Sequence, residues 1–126
     1  MERRLISSGS SLEERYGYSR AVVAGPHVHV AGTAPIMPGD ADPPPDPYGQ
    51  MRRCLEIAEA ALSEAGVGLS DVVRTRVLMT DAANAPELMR AHGDVFGATR
   101  PACTGVVVGL LDPRWFVEVE LDAVVS

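Results

Sequence analysis

Apolar residues recur along this chain in two periods, and the period changes four times. Residues 21–24 and 27–31 are short apolar runs parted by Gly25-Pro26, a turn signal, so they predict a hairpin of two strands. From Pro47 the apolar positions Met51, Cys54, Leu55, Ala58, Ala61, Leu62 and Ala65 follow helical spacing. Asp46 is placed to cap that helix, Pro47 suits its first turn, and Gly66 suits its close. Residues 71–80 then alternate in part between apolar side chains and arginine, which predicts a strand. Asn84 with Glu87 three positions on reads as a capping box, with Pro86 in the first turn of a helix reaching about Phe96. Two further strands are predicted over 102–108 and 116–124, joined by a turn at Asp112-Pro113.

The last quarter carries the strongest signal. Residues 105–111 form a near-continuous apolar run, the pattern of a strand buried on both faces. In the final strand Glu118 and Glu120 stand two apart and so share one face. Residues 5–20 are polar and read as turn material, with one further strand expected near residues 4–7. Residues 37–47 are dense in proline, glycine and aspartate and read as a mobile loop. The resulting order, β-β-α-β-α-β-β, predicts an α+β fold: a mixed sheet with two helices on one face. The uncovered sheet face then predicts an oligomer. No repeat or long linker divides the chain, so residues 1–126 are expected to form one domain.

Composition narrows the chemistry. The net charge is −6, which argues against a nucleic-acid footprint, although Arg3-Arg4 and Arg52-Arg53 are local basic pairs. All 11 basic residues are arginine. Without lysine, a side-chain Schiff base and a P-loop are both excluded. Two cysteines make no disulfide framework, which with the lack of a signal-peptide or membrane-spanning run leads to a cytoplasmic expectation.

Several residues have chemical potential. His27 and His29 share a strand face, but two histidines lack the third protein ligand of a catalytic zinc site, so no metal or cofactor is expected. His92 lies on a helix, where the ordinary reading is a partly exposed side chain. Cys54 falls on the helix's apolar stripe and reads as core. Cys103 would be a nucleophile only with a cation or helix N-terminus beside it. Otherwise it packs as a small hydrophobe. Glu118 and Glu120 are acid/base candidates if an apolar pocket raises their pKa, or ordinary partners of Arg74 and Arg76 if it does not. Tyr18 would place a hydroxyl at a pocket mouth. Gly32-Thr33, past a strand end, offers backbone N–H groups to a small anion.

Gly17-Tyr18-Ser19-Arg20-Ala21-Val22, Val30-Ala31-Gly32-Thr33-Ala34-Pro35, Asp46 with Gln50, Asp71-Val72-Val73-Arg74-Thr75-Arg76-Val77, Phe96 before Arg100-Pro101-Ala102, and Val117-Glu118-Val119-Glu120 occur in that order. This ordered set resembles the RidA/YjgF family of reactive-intermediate deaminases, also labelled endoribonuclease L-PSP. The resemblance implies a chorismate-mutase-like α+β fold and a homotrimer whose strands surround a central barrel, with clefts between subunits. It implies that Glu118 positions a hydrolytic water, that Tyr18 closes the pocket, and that Gly32 and Thr33 contribute at the strand end. Cys103 occupies the position where the deaminating branch has a carboxylate-binding arginine, and Ala31 stands where a serine is usual. Cys103 and Thr104 would shape the pocket instead. The function so implied is a small-molecule hydrolase or deaminase acting on an imine, enamine or related reactive metabolite. A trimeric protein that binds a small ligand without chemistry is the alternative. Endoribonuclease activity is less favoured by the acidic balance.

Overall fold

The computed structural model describes residues 2–125. Six strands form one sheet: β1 (Arg3–Ile6), β2 (Ala21–Ala24), β3 (His27–Thr33), β4 (Val72–Met79), β5 (Ala102–Val107) and β6 (Val117–Val124). Three helices accompany them: α1 (Ser11–Tyr16), α2 (Pro47–Glu64) and α3 (Ala85–Phe96). The strand order is β1-β2-β3-β6-β4-β5. All neighbours are antiparallel except β4 and β5, which run parallel and are connected through α3. A parallel pair needs such a crossover. This is the mixed α+β sheet expected from the alternation of periods.

Local signals act largely where the pattern put them. Asp46 accepts the Gly49 amide at 2.9 Å and caps α2. Gly66 follows α2 at φ 87°, a left-handed turn that a side chain would strain. Arg4 reaches from β1 to the carbonyls of Glu64 and Ala65 at 2.9 and 3.0 Å, placing a cation at the negative end of α2. The core lies between the sheet and the two longer helices. Met51, Cys54, Leu55, Ala58 and Leu62 of α2 and Leu88, Ala91 and Phe96 of α3 are buried with Val28, Val77, Val117, Val119 and Leu121 of the sheet. On β6 buried positions alternate with half-buried ones, so Glu118, Glu120 and Asp122 point away from the helices.

Four expectations need correction. First, β5 is not buried on both faces. It is an edge strand, exposed at all six positions, and it ends at Val107. An apolar run marks surface that needs cover but does not say whether the same chain supplies it. Second, Asn84 has helical backbone angles and makes no capping bond. Asp81 caps the preceding turn instead, accepting from Ala83 at 2.8 Å, and Glu87 pairs with Arg90 at 2.7 Å. Third, the polar N-terminal stretch contains α1. Ser10 caps it, Gly17 closes it at φ 76°, and buried Glu13 accepts the Ser8 amide at 3.1 Å and the Ser8 hydroxyl. Fourth, the proline-rich loop is anchored. Arg114 pairs with Asp40 and Asp42 at 3.1 and 3.2 Å, and Gln50 donates to the Pro44 carbonyl at 3.0 Å.

His92 is also buried rather than partly exposed. Its Nε2 lies 2.8 Å from the Thr75 hydroxyl, and burial lowers its pKa. The unfolded chain takes up this proton near pH 6.5, the folded chain only at lower pH. Stability from this group is therefore full above about pH 6.5 and is lost as pH falls through the lower folded value. Urea midpoints measured from pH 7.5 down to 5 should fall more steeply for the wild type than for His92→Leu. Equal slopes would refute the assignment.

Candidate functional site

The pairing of β3 with β6 is regular up to Val30 and resumes at Thr33, so the chain bulges at Ala31-Gly32. A bulge bends a strand and re-aims what lies beside it. Here the Glu118 carboxylate stands beside Gly32. A Cβ built on Gly32 would lie 3.1 Å from Glu118 Oε1, so any larger residue would push the carboxylate away. The Gly32 carbonyl accepts from Arg20 Nη2, and the buried Thr33 hydroxyl donates to the Ala31 carbonyl at 2.7 Å. Both bonds hold the bulge in shape.

The two glutamates of β6 live in different environments. Glu120 faces Arg76 of β4 at 3.5 Å, and Arg76 also bonds Asp122 at 3.2 Å. Asp122 in turn lies 2.7 Å from His29 Nδ1. His27 stacks beside His29 with ring centres 6.2 Å apart. Glu118 has no place in this ion network. Burial raises its pKa, the Arg20 charge pulls it down, and Glu120 pushes it up again, with a net rise. It is the one of the pair whose environment favours a proton carrier.

Tyr18 follows the left-handed Gly17, and its backbone amide donates to Glu13 at 2.9 Å. Its ring is 44% exposed at the mouth of an open cavity of about 660 Å³ on the uncovered sheet face. His29, Ala31, Arg76 and Glu120 line that cavity with it. The sequence-derived candidates thus fall into two groups. Tyr18, Gly32, Thr33 and Glu118 surround the β3 bulge and its rim. Cys103 and Thr104 lie on β5, beyond β4. Thr104 pairs with Arg76, which pairs with Glu120, so it shares the uncovered face. Cys103 pairs with buried Thr75 and so sits on the helix side, and on this edge strand it is exposed rather than packed as a small hydrophobe. Within one chain, Cys103 and Glu118 occupy opposite faces of the sheet.

Arg20 was missed in the sequence reading. Its only local signal is a cation directly before the apolar run of β2. Among the described residues no three His, Cys, Asp or Glu side chains are grouped to hold a metal ion. No helix among them is long and apolar enough to cross a membrane.

The family model described as Endoribonuclease L-PSP matches residues 8–125. The chain belongs to this family. The match takes in every candidate residue from Tyr18 to Glu118. A Mycobacterium tuberculosis protein of the YjgF/YER057c/UK114 family, Rv2704, has a solved structure that superposes with a TM-score of 0.89 at 42% identity, covering 98% of this chain and all of that one. The 3-aminoacrylate deaminase RutC of Acinetobacter baylyi is 32% identical over 103 residues, 81% of this chain and 82% of its own. Escherichia coli TdcF, solved with bound serine, superposes at a TM-score of 0.81 with 26% identity over 98% of this chain and 94% of that one. The α+β fold of this L-PSP family member, with its mixed sheet and few helices, is therefore the fold of YjgF proteins.

Proposed function

We propose that this protein is a reactive-intermediate deaminase that hydrolyses a small imine or enamine, with Glu118 holding the attacking water. The observation that carries the reading is the Glu118 carboxylate. It is set against Gly32 at a strand bulge, outside the Arg76 ion network, with burial raising its pKa. A carboxylate so placed can accept a proton from water as the water adds to a C=N carbon and return it to the departing nitrogen. RutC is named for deamination of 3-aminoacrylate, and TdcF holds a small amino acid.

The site is completed by a neighbouring copy in a homotrimer, each chain acting as one domain. Val106 and Val107 of β5 are 41% and 57% exposed, and the sheet face bearing Leu78 and Glu118 lies opposite the one packed by α2 and α3. A second copy packed there would bury this apolar edge and could bring Cys103 and Thr104 of one chain towards Tyr18 and Glu118 of another.

One observation favours a second reading, ligand binding without turnover. Cys103 stands where the resemblance places an arginine, and a thiol cannot make the paired bonds of a guanidinium to a carboxylate. Ammonia release from freshly generated 2-aminoacrylate and 2-iminobutyrate decides between them. The deaminase reading expects release above the spontaneous rate. A purified trimer that binds these compounds but leaves the rate unchanged would establish the second reading.

A further inference from the structure

We propose that the cavity bounded by residues 8–10, 33–38 and the α2 side chains Arg53 and Ile57 binds a small aliphatic carboxylate, with Arg20 and Arg53 as its paired cationic anchor. The cavity measures about 480 Å³. In a chain of net charge −6, its lining carries these two guanidiniums and no carboxylate. Such a pocket concentrates anions against the sign of the whole molecule.

Both arginines are held in place and both keep donors free. Arg20 spends Nη2 on the Gly32 carbonyl, while its Nε is buried with no partner among the described residues. A buried donor left unsatisfied is costly, and an anion that accepts from it removes that cost. Arg53 spends Nε on the Ile36 carbonyl at 2.8 Å. Its nearest carboxylate, Glu56, is 3.9 Å away and 65% exposed, too far for a hydrogen bond. An adjoining cavity of about 280 Å³ shares both arginines but is also lined by Glu56 and Glu64, which makes it the less favourable of the two for an anion. Ile36, Met37 and Ile57 supply apolar wall, which suits a short alkyl chain on the anion.

This assignment rests on the proposed function for the ligand's class, since 2-imino acids and their 2-oxo acid products are small carboxylates. It also offers the clamp that Cys103 cannot. Gly32 joins the two parts: its carbonyl holds Arg20, and a Cβ built on it would meet the Glu118 carboxylate. The planar fork of a guanidinium matches a carboxylate's two oxygens.

The test is calorimetric titration of the assembled protein with 2-oxobutyrate, a stable 2-oxo acid, separate from any turnover assay. Saturable binding is expected, weakened about tenfold or more in Arg20→Gln and in Arg53→Gln, and about tenfold weaker for the neutral 2-oxobutyramide. Amide NMR shifts should cluster at Ser10, Thr33, Ile36 and Ile57. Arg53→Gln, on the surface of α2, covers the case in which Arg20→Gln fails to fold. No wild-type binding at millimolar ligand, unchanged affinity in Arg53→Gln, or shifts centred on Cys103 would each overturn the proposal. So would equal competition by inorganic phosphate, which would mark a general oxyanion site. Arginine-dependent binding without ammonia release would leave this site standing and sink the deaminase reading alone.

Discussion

Glu118→Gln is expected to lower imine or enamine hydrolysis by about 10²–10⁴-fold, the usual contribution of a positioned acid/base group. The fold should survive, because Glu118 takes no part in the ion network of β6. Its stability effect has a definite sign. The folded-state pKa is raised, first by burial, so between the ordinary glutamate value and the raised one the native chain binds more protons than the unfolded chain. Stability from this group therefore falls as pH rises through that window. At neutral pH the charged carboxylate is a net liability that glutamine removes. The melting temperature of Glu118→Gln should equal or exceed that of the wild type, while activity collapses. The same pKa shift sets the acid limb of the activity profile, which should lie above the ordinary glutamate range. Arg20→Gln removes the opposing positive charge and should move that limb to higher pH. Glu120→Gln should move it slightly lower and retain most activity. Loss of activity on Glu120→Gln, with Glu118→Gln still active, would reverse the assignment.

The contrast between these two glutamates shows where sequence reading stops. Alternation on β6 places Glu118 and Glu120 on one face correctly, because the pleat has period two. It cannot say that β4 lies beside β6, and that adjacency gives Arg76 to Glu120. The order β3-β6-β4 inserts the last strand between two earlier ones, a fact of tertiary packing without local signature. For the same reason the apolar run after Cys103 was legible as a strand but not as an edge. The helices α2 and α3 were legible because their stripes are long and their buried positions recur at helical spacing. The six-residue α1 was not, since its stability comes from Ser10 and from Glu13 folding back onto Ser8. The bulge at Ala31-Gly32 was not legible: the pattern ends the strand at residue 31 and puts Gly32 beyond it, whereas β3 continues to Thr33. Its meaning depends on the Glu118 carboxylate across the ladder.

Gln50→Leu is expected to be the most damaging single change to stability. Gln50 is 1% exposed in the first turns of α2, and all its side-chain bonds leave the helix. Its Nε2 donates to the carbonyls of Pro44 at 3.0 Å and Arg114 at 2.9 Å, and its Oε1 accepts the Phe116 amide at 2.7 Å. Leucine keeps the volume but strands three backbone groups. Each stranded group costs about 1–3 kcal/mol when water cannot reach it. With these positions half-buried, a total of about 3 kcal/mol is expected, which lowers the melting temperature by about 10 °C for a chain of this size. Gln50→Glu separates bonding from volume. At neutral pH its carboxylate can still accept from Phe116 but faces two carbonyls, so it should be as unstable as leucine. At low pH the protonated acid regains one donor, and stability relative to Gln50→Leu should rise. The damage also reaches the site, because Phe116 lies two residues before Glu118 and its amide bond to Gln50 fixes where β6 begins. At temperatures where the variant remains folded, turnover should drop several-fold. A loss under about 1 kcal/mol in urea titration would show that water reaches these groups and that Gln50 does not hold the loop.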